Sequence, residues 1–106
     1  MKHFLIKYRL KNGTAEAWHH DVVTFIAALQ GDGVLKSSIA YRCMKVRDGI
    51  DYYHLALAVD DRAIKTLQER DFFQRYTEKT KFVAGDEVEV LPLEVLAETH
   101  RTTVTA

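Results

Sequence analysis

Along this chain the spacing of apolar residues switches between two and about 3.6 in a set order, and that order restricts the fold more than any single motif does. In residues 3–10, Phe4, Ile6, Tyr8 and Leu10 alternate with His3, Leu5, Lys7 and Arg9. A period of two marks a strand with one clearly apolar face. Asn12-Gly13 ends it, since both residues tolerate turn geometry. From about Ala15 to Gln30 the period lengthens. Trp18, Val22, Phe25 and Leu29 recur at helical spacing, with Ala15 and Ile26 beside them, and form one apolar stripe. Thr14 is placed to cap this helix, and Gly31 stands where a helix end favours glycine.

Residues 34–46 and 52–59 return to strand character and flank Arg47-Asp48-Gly49, a hairpin signal. Two registers are open. A three-residue loop with Gly49 left-handed sets Val46 opposite Ile50, Tyr41 beside Leu55 and Cys43 beside Tyr53. A two-residue Asp48-Gly49 turn sets Arg42 beside Leu55. The first is the expected one, because it gathers Ile39, Tyr41, Cys43, Tyr53, Leu55 and Leu57 on one face. Ser38, Ala40, Arg42, Met44, Tyr52, His54, Ala56 and Ala58 then fall on the other.

Asp60-Asp61 opens a second helix, where aspartate caps and suits the positive end of the helix dipole. Ala63, Ile64 and Leu67 supply its buried face. The phase breaks near Asp71, which can cap a further turn carrying Phe72, Phe73 and Tyr76. Residues 87–97 form the last strand, and Pro92, lacking an N–H, marks an edge or a bulge. Residues 1–99 are expected to form one domain, followed by a frayed threonine-rich tail over 100–106.

The resulting β-α-β-β-α-β order is that of an α+β, ferredoxin-like domain with a four-stranded antiparallel sheet. The fourth strand pairs with the first, and the third lies on the first strand's other side. Both helices cover one face. The opposite face, with His3, Leu5, Ala40, Met44, Tyr52, His54 and Ala56, is too apolar for full exposure. A second copy of the sheet is the expected cover, giving a homodimer.

Composition narrows the partners. Lysine plus arginine and aspartate plus glutamate number 15 each among 106 residues, so the chain carries no electrostatic footprint for nucleic acid. The single cysteine, Cys43, permits no intrachain disulfide, and no Cys/His spacing resembles a zinc site. No apolar run approaches a membrane span. Residues 1–7 are too charged for a secretory signal, which makes the cytoplasm the expected location. No metal, haem or other cofactor is expected.

Three groups of residues are candidates for chemistry. His19 lies at the margin of the first helix's stripe beside Trp18, where it can serve as an acid, a base or a polar anchor. As a structural histidine it would simply be half-buried with one hydrogen bond. His20 points away. Tyr8, Trp18, Tyr41, Tyr53 and Phe73, with Phe72 and Tyr76, can converge between sheet and helices. Aromatic walls with polar tips suit a flat apolar ligand, although the same residues also make an ordinary core. His3, Arg42 and His54 are expected on the second face. There they form either a polar site inside a dimeric barrel or a plain interface. Cys43 reads as a small buried apolar residue.

Lys2-His3 at the start of the first strand, Asp51-Tyr52-Tyr53-His54-Leu55 at the third, Glu69-Arg70-Asp71-Phe72-Phe73 at the end of the second helix and Val88-Glu89-Val90-Leu91-Pro92-Leu93 are the more specific pieces. With the order of elements, they make residues 2–98 resemble the dimeric α+β barrel superfamily. That superfamily includes antibiotic-biosynthesis monooxygenase-type and stress-responsive barrel proteins. The resemblance implies a dimer joined partly through the last strand. It also implies a cofactor-independent monooxygenase or a polyketide-cyclase-like enzyme acting on a small aromatic or quinone-type molecule. Haem-degrading members use an asparagine on the first strand, a tryptophan on the third and a histidine on the second helix, and this chain has none of these there. Cyclase members resemble it through His3 and His54 but carry a histidine where this chain has Phe72-Phe73. The alternative is a non-catalytic ligand-binding or structural dimer of the same fold.

Overall fold

The computed structural model describes residues 1–99, so the expected tail over 100–106 lies outside the described residues. The elements run β1 (Lys2–Arg9), α1 (Ala15–Gly31), β2 (Ile39–Lys45), β3 (Asp51–Ala58), α2 (Asp61–Gln68), α3 (Asp71–Val83) and β4 (Glu89–Leu93). The sheet order is β2-β3-β1-β4 and every pairing is antiparallel, which is the ferredoxin-like arrangement. The helices pack on one face.

Local chemistry accounts for the element ends. Thr14 Oγ1 accepts from the Ala17 N–H at 3.2 Å, and Asp60 Oδ1 accepts from the Ala63 N–H at 2.9 Å, so both helices begin on side-chain caps. The break near Asp71 begins a 13-residue helix, not a single further turn. Arg70 is extended between α2 and α3, and its Nε donates to Asp32 Oδ2 at 2.8 Å. That ion pair ties the helix joint to the end of α1. Asp32 also accepts from the Val34 and Leu35 N–H groups, so residues 34–38 turn here instead of extending β2. The last strand is likewise shorter than its apolar run, covering Glu89–Leu93.

The hairpin register differs from the expected one. Arg42 pairs with Leu55, Tyr41 with Ala56 and Cys43 with His54. The turn explains it. Asp48, not Gly49, takes the left-handed conformation at φ 60°, which aspartate tolerates better than most residues. The Gly49 N–H donates to the Val46 carbonyl, and the Val46 N–H donates to the Asp51 carbonyl. A one-residue slip reverses every side chain of a strand. Tyr52, His54 and Ala56 therefore face the helices, and Tyr53, Leu55 and Leu57 face away.

The core lies between α1, α3 and the sheet. Trp18, Val22, Phe25 and Leu29, the stripe read from the sequence, are all buried. Tyr76 of α3 lies between two of them: it stacks on Phe25 with centroids 3.8 Å apart and on Trp18 at 5.6 Å. Such aromatic pairs add specificity beyond the area they bury. Leu35 has no exposed surface although it sits in the turn after α1. Leu35→Ala should lower the unfolding free energy by about 2–5 kcal/mol. Val34→Ala, at the exposed neighbouring position, should change it by less than about 0.5 kcal/mol. Urea denaturation checks the pair, and equal effects would mean that the turn is misplaced.

Candidate functional site

The register that turns His54 inward creates the most polar point of the core. β3 sets His54 between Cys43 on β2 and Ile6 on β1. It has no exposed surface, and side chains from three other elements, β1, β2 and α3, meet it. Tyr8 Oη lies 2.7 Å from Nε2, and Cys43 Sγ lies 3.0 Å from the same nitrogen. Tyr41 Oη is 2.6 Å from Nδ1, and Tyr76 Oη is 3.2 Å from it. Behind Tyr8, the Trp18 Nε1–H donates to Tyr8 Oη at 2.8 Å.

Burial holds every member uncharged at neutral pH. It lowers the His54 pKa from 6.5 to about 4. It raises the Tyr8, Tyr41 and Tyr76 hydroxyls above their ordinary value and pushes the Cys43 thiol up to about 11. Desolvation disfavours the charged form in each case.

The hydrogen bonds then acquire a direction. Indole N–H can only donate, so Tyr8 Oη accepts from Trp18. The Tyr8 hydroxyl hydrogen has one acceptor in reach, His54 Nε2. Leaving it without that acceptor would cost about 1–3 kcal/mol. Nε2 is therefore the bare nitrogen, and the neutral ring carries its proton on Nδ1, which donates to Tyr41 Oη. The Cys43 thiol is a weaker donor and yields Nε2 to the phenol.

Tyr41 and Tyr76 also line a cavity of about 400 Å³ between the sheet and α2–α3. Its walls are apolar: Phe4, Ile6 and Ala56 from the sheet, Ile64 and Leu67 from α2, and Phe73 from α3. Thr77 and Thr80 line it too, but their hydroxyls donate to the Phe73 and Tyr76 carbonyls. Gln68 and Lys81, both exposed, supply polar groups from the helix surfaces.

The structure separates the residues singled out from the sequence. Tyr41 and Phe73 line the cavity. Tyr8 and Trp18 are buried and connect to it through His54. Tyr53 does not join them, because the register puts it on the opposite face between Met44 and Lys7. His54 is corrected in the reverse sense: it was expected on the second face with His3 and Arg42, and it lies beneath the helices. His3 and Arg42 are on the second face, in different cross-strand rows. His19 is exposed and lines no part of the cavity, while its Nε2 lies 2.7 Å from the hydroxyl of the buried Tyr52. Tyr52 in turn stacks on Tyr8 at 5.3 Å, so His19 steadies the cluster from outside. Periodicity alone did not find His54, Cys43 or Tyr76 as one group. The signal that bore on it was Asp48, whose tolerance of left-handed backbone selects the register. Among the described residues, no three His, Cys, Asp or Glu side chains meet in a metal-binding cluster. No described helix is long and apolar enough to cross a membrane.

A ferredoxin-like α+β domain is the class that this geometry defines, and solved structures share that fold. Rv0793 from Mycobacterium tuberculosis superposes with a TM-score of 0.74 at 12% identity, over 93% of this chain and 98% of that one. A variant of SnoaB, a cofactor-independent oxygenase from Streptomyces nogalater, gives 0.72 at 12% identity, over 92% and 94%. A dimeric ferredoxin-like protein of unknown function from Jannaschia sp. CCS1 gives 0.63 at 18% identity, over 90% and 100%. These likenesses are of fold: the chain shares the ferredoxin-like α+β architecture of these proteins. The sequence matches no described protein family and no curated protein.

The lowered His54 pKa has a consequence for stability. Between pH about 6.5 and about 4 the unfolded chain binds a proton at His54 that the folded chain refuses. Stability from this residue is thus fully present above pH 6.5, falls as the pH drops through that window, and changes no further below it. The loss should reach roughly 3 kcal/mol. His54→Gln should flatten this part of the profile, with thermal denaturation across pH as the measurement. A parallel fall in the variant would assign the effect to other groups.

Proposed function

We propose that this chain works as a homodimeric α+β barrel whose cavity takes a small planar aromatic or quinone-type molecule. The reaction is of the cofactor-independent monooxygenase or cyclase kind, and it calls for no metal or haem. The observation that carries the reading is the cavity's lining, mostly apolar, with two tyrosine hydroxyls backed by a buried histidine at its inner end and Gln68 and Lys81 at the helix surfaces. Apolar walls exclude water and strengthen each hydrogen bond made inside. Tyr41 and Tyr76 orient the ligand, and His54 holds their hydroxyls in place. The fold that the chain shares with SnoaB supports the oxygenase form of the reading.

A second reading is favoured by the same cluster's energetics. A histidine with a pKa near 4 is a weak base at neutral pH, and phenols raised by burial are weak acids. These properties suit a non-catalytic binding protein. In the enzyme reading, the substrate's own electron richness supplies the reactivity and the protein positions it.

The proposed dimer rests on the sheet face that no described element covers. Across the strands it reads Ala40, Leu57, His3, Leu93, then Arg42, Leu55, Leu5, Leu91, then Met44, Tyr53, Lys7, Glu89. Leucines fill its centre, with charged groups toward two sides. Leu91 and Leu93 of the edge strand β4 are 40% and 42% exposed in the isolated chain. A second copy of the same face is a self-complementary cover, and the dimeric Jannaschia protein of this fold agrees with it.

Two measurements test these claims. Light scattering should give a dimer mass for the natural chain and a monomer mass for Leu55→Arg. A monomeric natural chain at micromolar concentration would remove the interface. Equilibrium dialysis should show binding of 1-naphthol that Ala56→Leu, which fills the cavity, weakens by at least about tenfold. Unchanged binding would place the ligand elsewhere. Oxygen uptake during incubation with an electron-rich naphthol separates the enzyme reading from the binding one.

A further inference from the structure

We infer that Tyr41 and Tyr76 form a one-hydrogen donor subsite, which selects ligands carrying a hydrogen-bond acceptor, such as a carbonyl oxygen, on an otherwise apolar body. The inference rests on the reading of the cavity as a ligand site and adds the polarity of its inner end.

The argument is a count of hydrogens. The cluster holds five N–H or O–H hydrogens: those of Trp18 Nε1, Tyr8, His54 Nδ1, Tyr41 and Tyr76. Trp18 donates to Tyr8, Tyr8 to His54 Nε2, and His54 Nδ1–H to Tyr41. The remaining contact is between Tyr41 Oη and Tyr76 Oη at 3.3 Å, and it can use only one of their two hydrogens. Every heavy atom thus has a neighbour, while one phenolic hydrogen has no acceptor. No other acceptor among the described residues lies within hydrogen-bond distance of either hydroxyl.

The direction of the chain decides where the surplus falls. With the His54 proton on Nε2 instead, the unmet hydrogen would be that of Tyr8, which is buried and lines no part of the cavity. Trp18, a pure donor at the far end, pushes the surplus through His54 to the two tyrosines that do line it. Their hydroxyls can exchange roles, so either one presents the free hydrogen. A ligand with an acceptor there completes the cluster, and a hydrocarbon of the same shape does not.

Equilibrium dialysis with 9-fluorenone and fluorene tests this, because the two differ only in the carbonyl. Fluorenone should bind the natural protein about tenfold more tightly. Tyr41→Phe and Tyr76→Phe should each keep the preference, since each leaves one hydroxyl whose hydrogen has no internal acceptor. The double variant should lose it while still binding fluorene, which reports an intact cavity. Equal binding by the natural protein, or a preference that survives in the double variant, would overturn the subsite while leaving the ligand site standing. Failure of both compounds to bind would overturn the ligand site itself. The infrared carbonyl band of fluorenone bound to the natural protein gives an answer that depends on no variant. It should lie at lower frequency than in hydrocarbon solvent, and an unshifted band contradicts the donor.

Discussion

A neutral histidine cut off from water sets the terms on which the core is built. His54 has one nitrogen that must accept and one that must donate, and neither can turn to solvent. The partners come from separate parts of the chain: Tyr8 from β1, Tyr41 from β2 and Tyr76 from α3, with Trp18 of α1 fixing Tyr8. Each hydroxyl can reach the imidazole only if its own element is in register. The polar cluster thereby locks the relative positions of sheet and helices more narrowly than apolar contact would, because a slipped strand would bury several unmet donors. The stack Trp18–Tyr76–Phe25 adds shape to the same constraint, holding α3 between two residues of α1.

Much of the fold was legible because it rests on periods that a sequence displays openly. The α1 stripe of Trp18, Val22, Phe25 and Leu29 survives unchanged, as do the caps Thr14 and Asp60 and the antiparallel order of strands. β3 was the difficult element, for a physical reason. It is a central strand with one face under the helices and the other in the middle of the open sheet face. Both of its faces are therefore rich in large side chains, and alternation cannot say which is inward. Preferring Leu55 and Leu57 to Tyr52 and His54 was the natural choice by hydrophobicity. It failed because the histidine's cost of burial is met by tyrosines that only the tertiary structure brings near. The aromatic half of the site could thus be read from Tyr8, Trp18, Tyr41 and Phe73, while its centre could not. His19, singled out by helical phase, turned out to brace Tyr52 from the surface.

The two faces of the sheet divide the work of the molecule. The helix face holds the polar cluster and the cavity, so it needs rigid support from α1 and α3. The opposite face carries leucines at its centre and charges toward its sides, with no covering element among the described residues. Strand β4 belongs to both: it closes the sheet edge beside β1, and its Val90 lines the cavity while Leu91 and Leu93 face the open side. Anything that covers the open face presses on the strand that walls the cavity. In the proposed dimer, assembly and ligand binding would be mechanically linked through the five residues of this edge strand.

The polarity of the cluster matters more for its chemistry than the presence of a histidine does. Trp18 cannot accept a hydrogen bond, and that fixes the direction of every bond after it, through Tyr8 and His54 to Tyr41. Reversing the sequence would leave the Tyr8 phenol unmet where it is buried and lines no part of the cavity, and burial makes that expensive. The histidine is consequently poor at carrying protons back and forth and well placed to hold one phenolic hydrogen at the cavity wall. A site of this kind favours a ligand by what the ligand accepts, and its apolar walls discriminate by shape. In the proposed reading, reactivity comes from the bound molecule, held beside a hydrogen-bond donor that either Tyr41 or Tyr76 can supply.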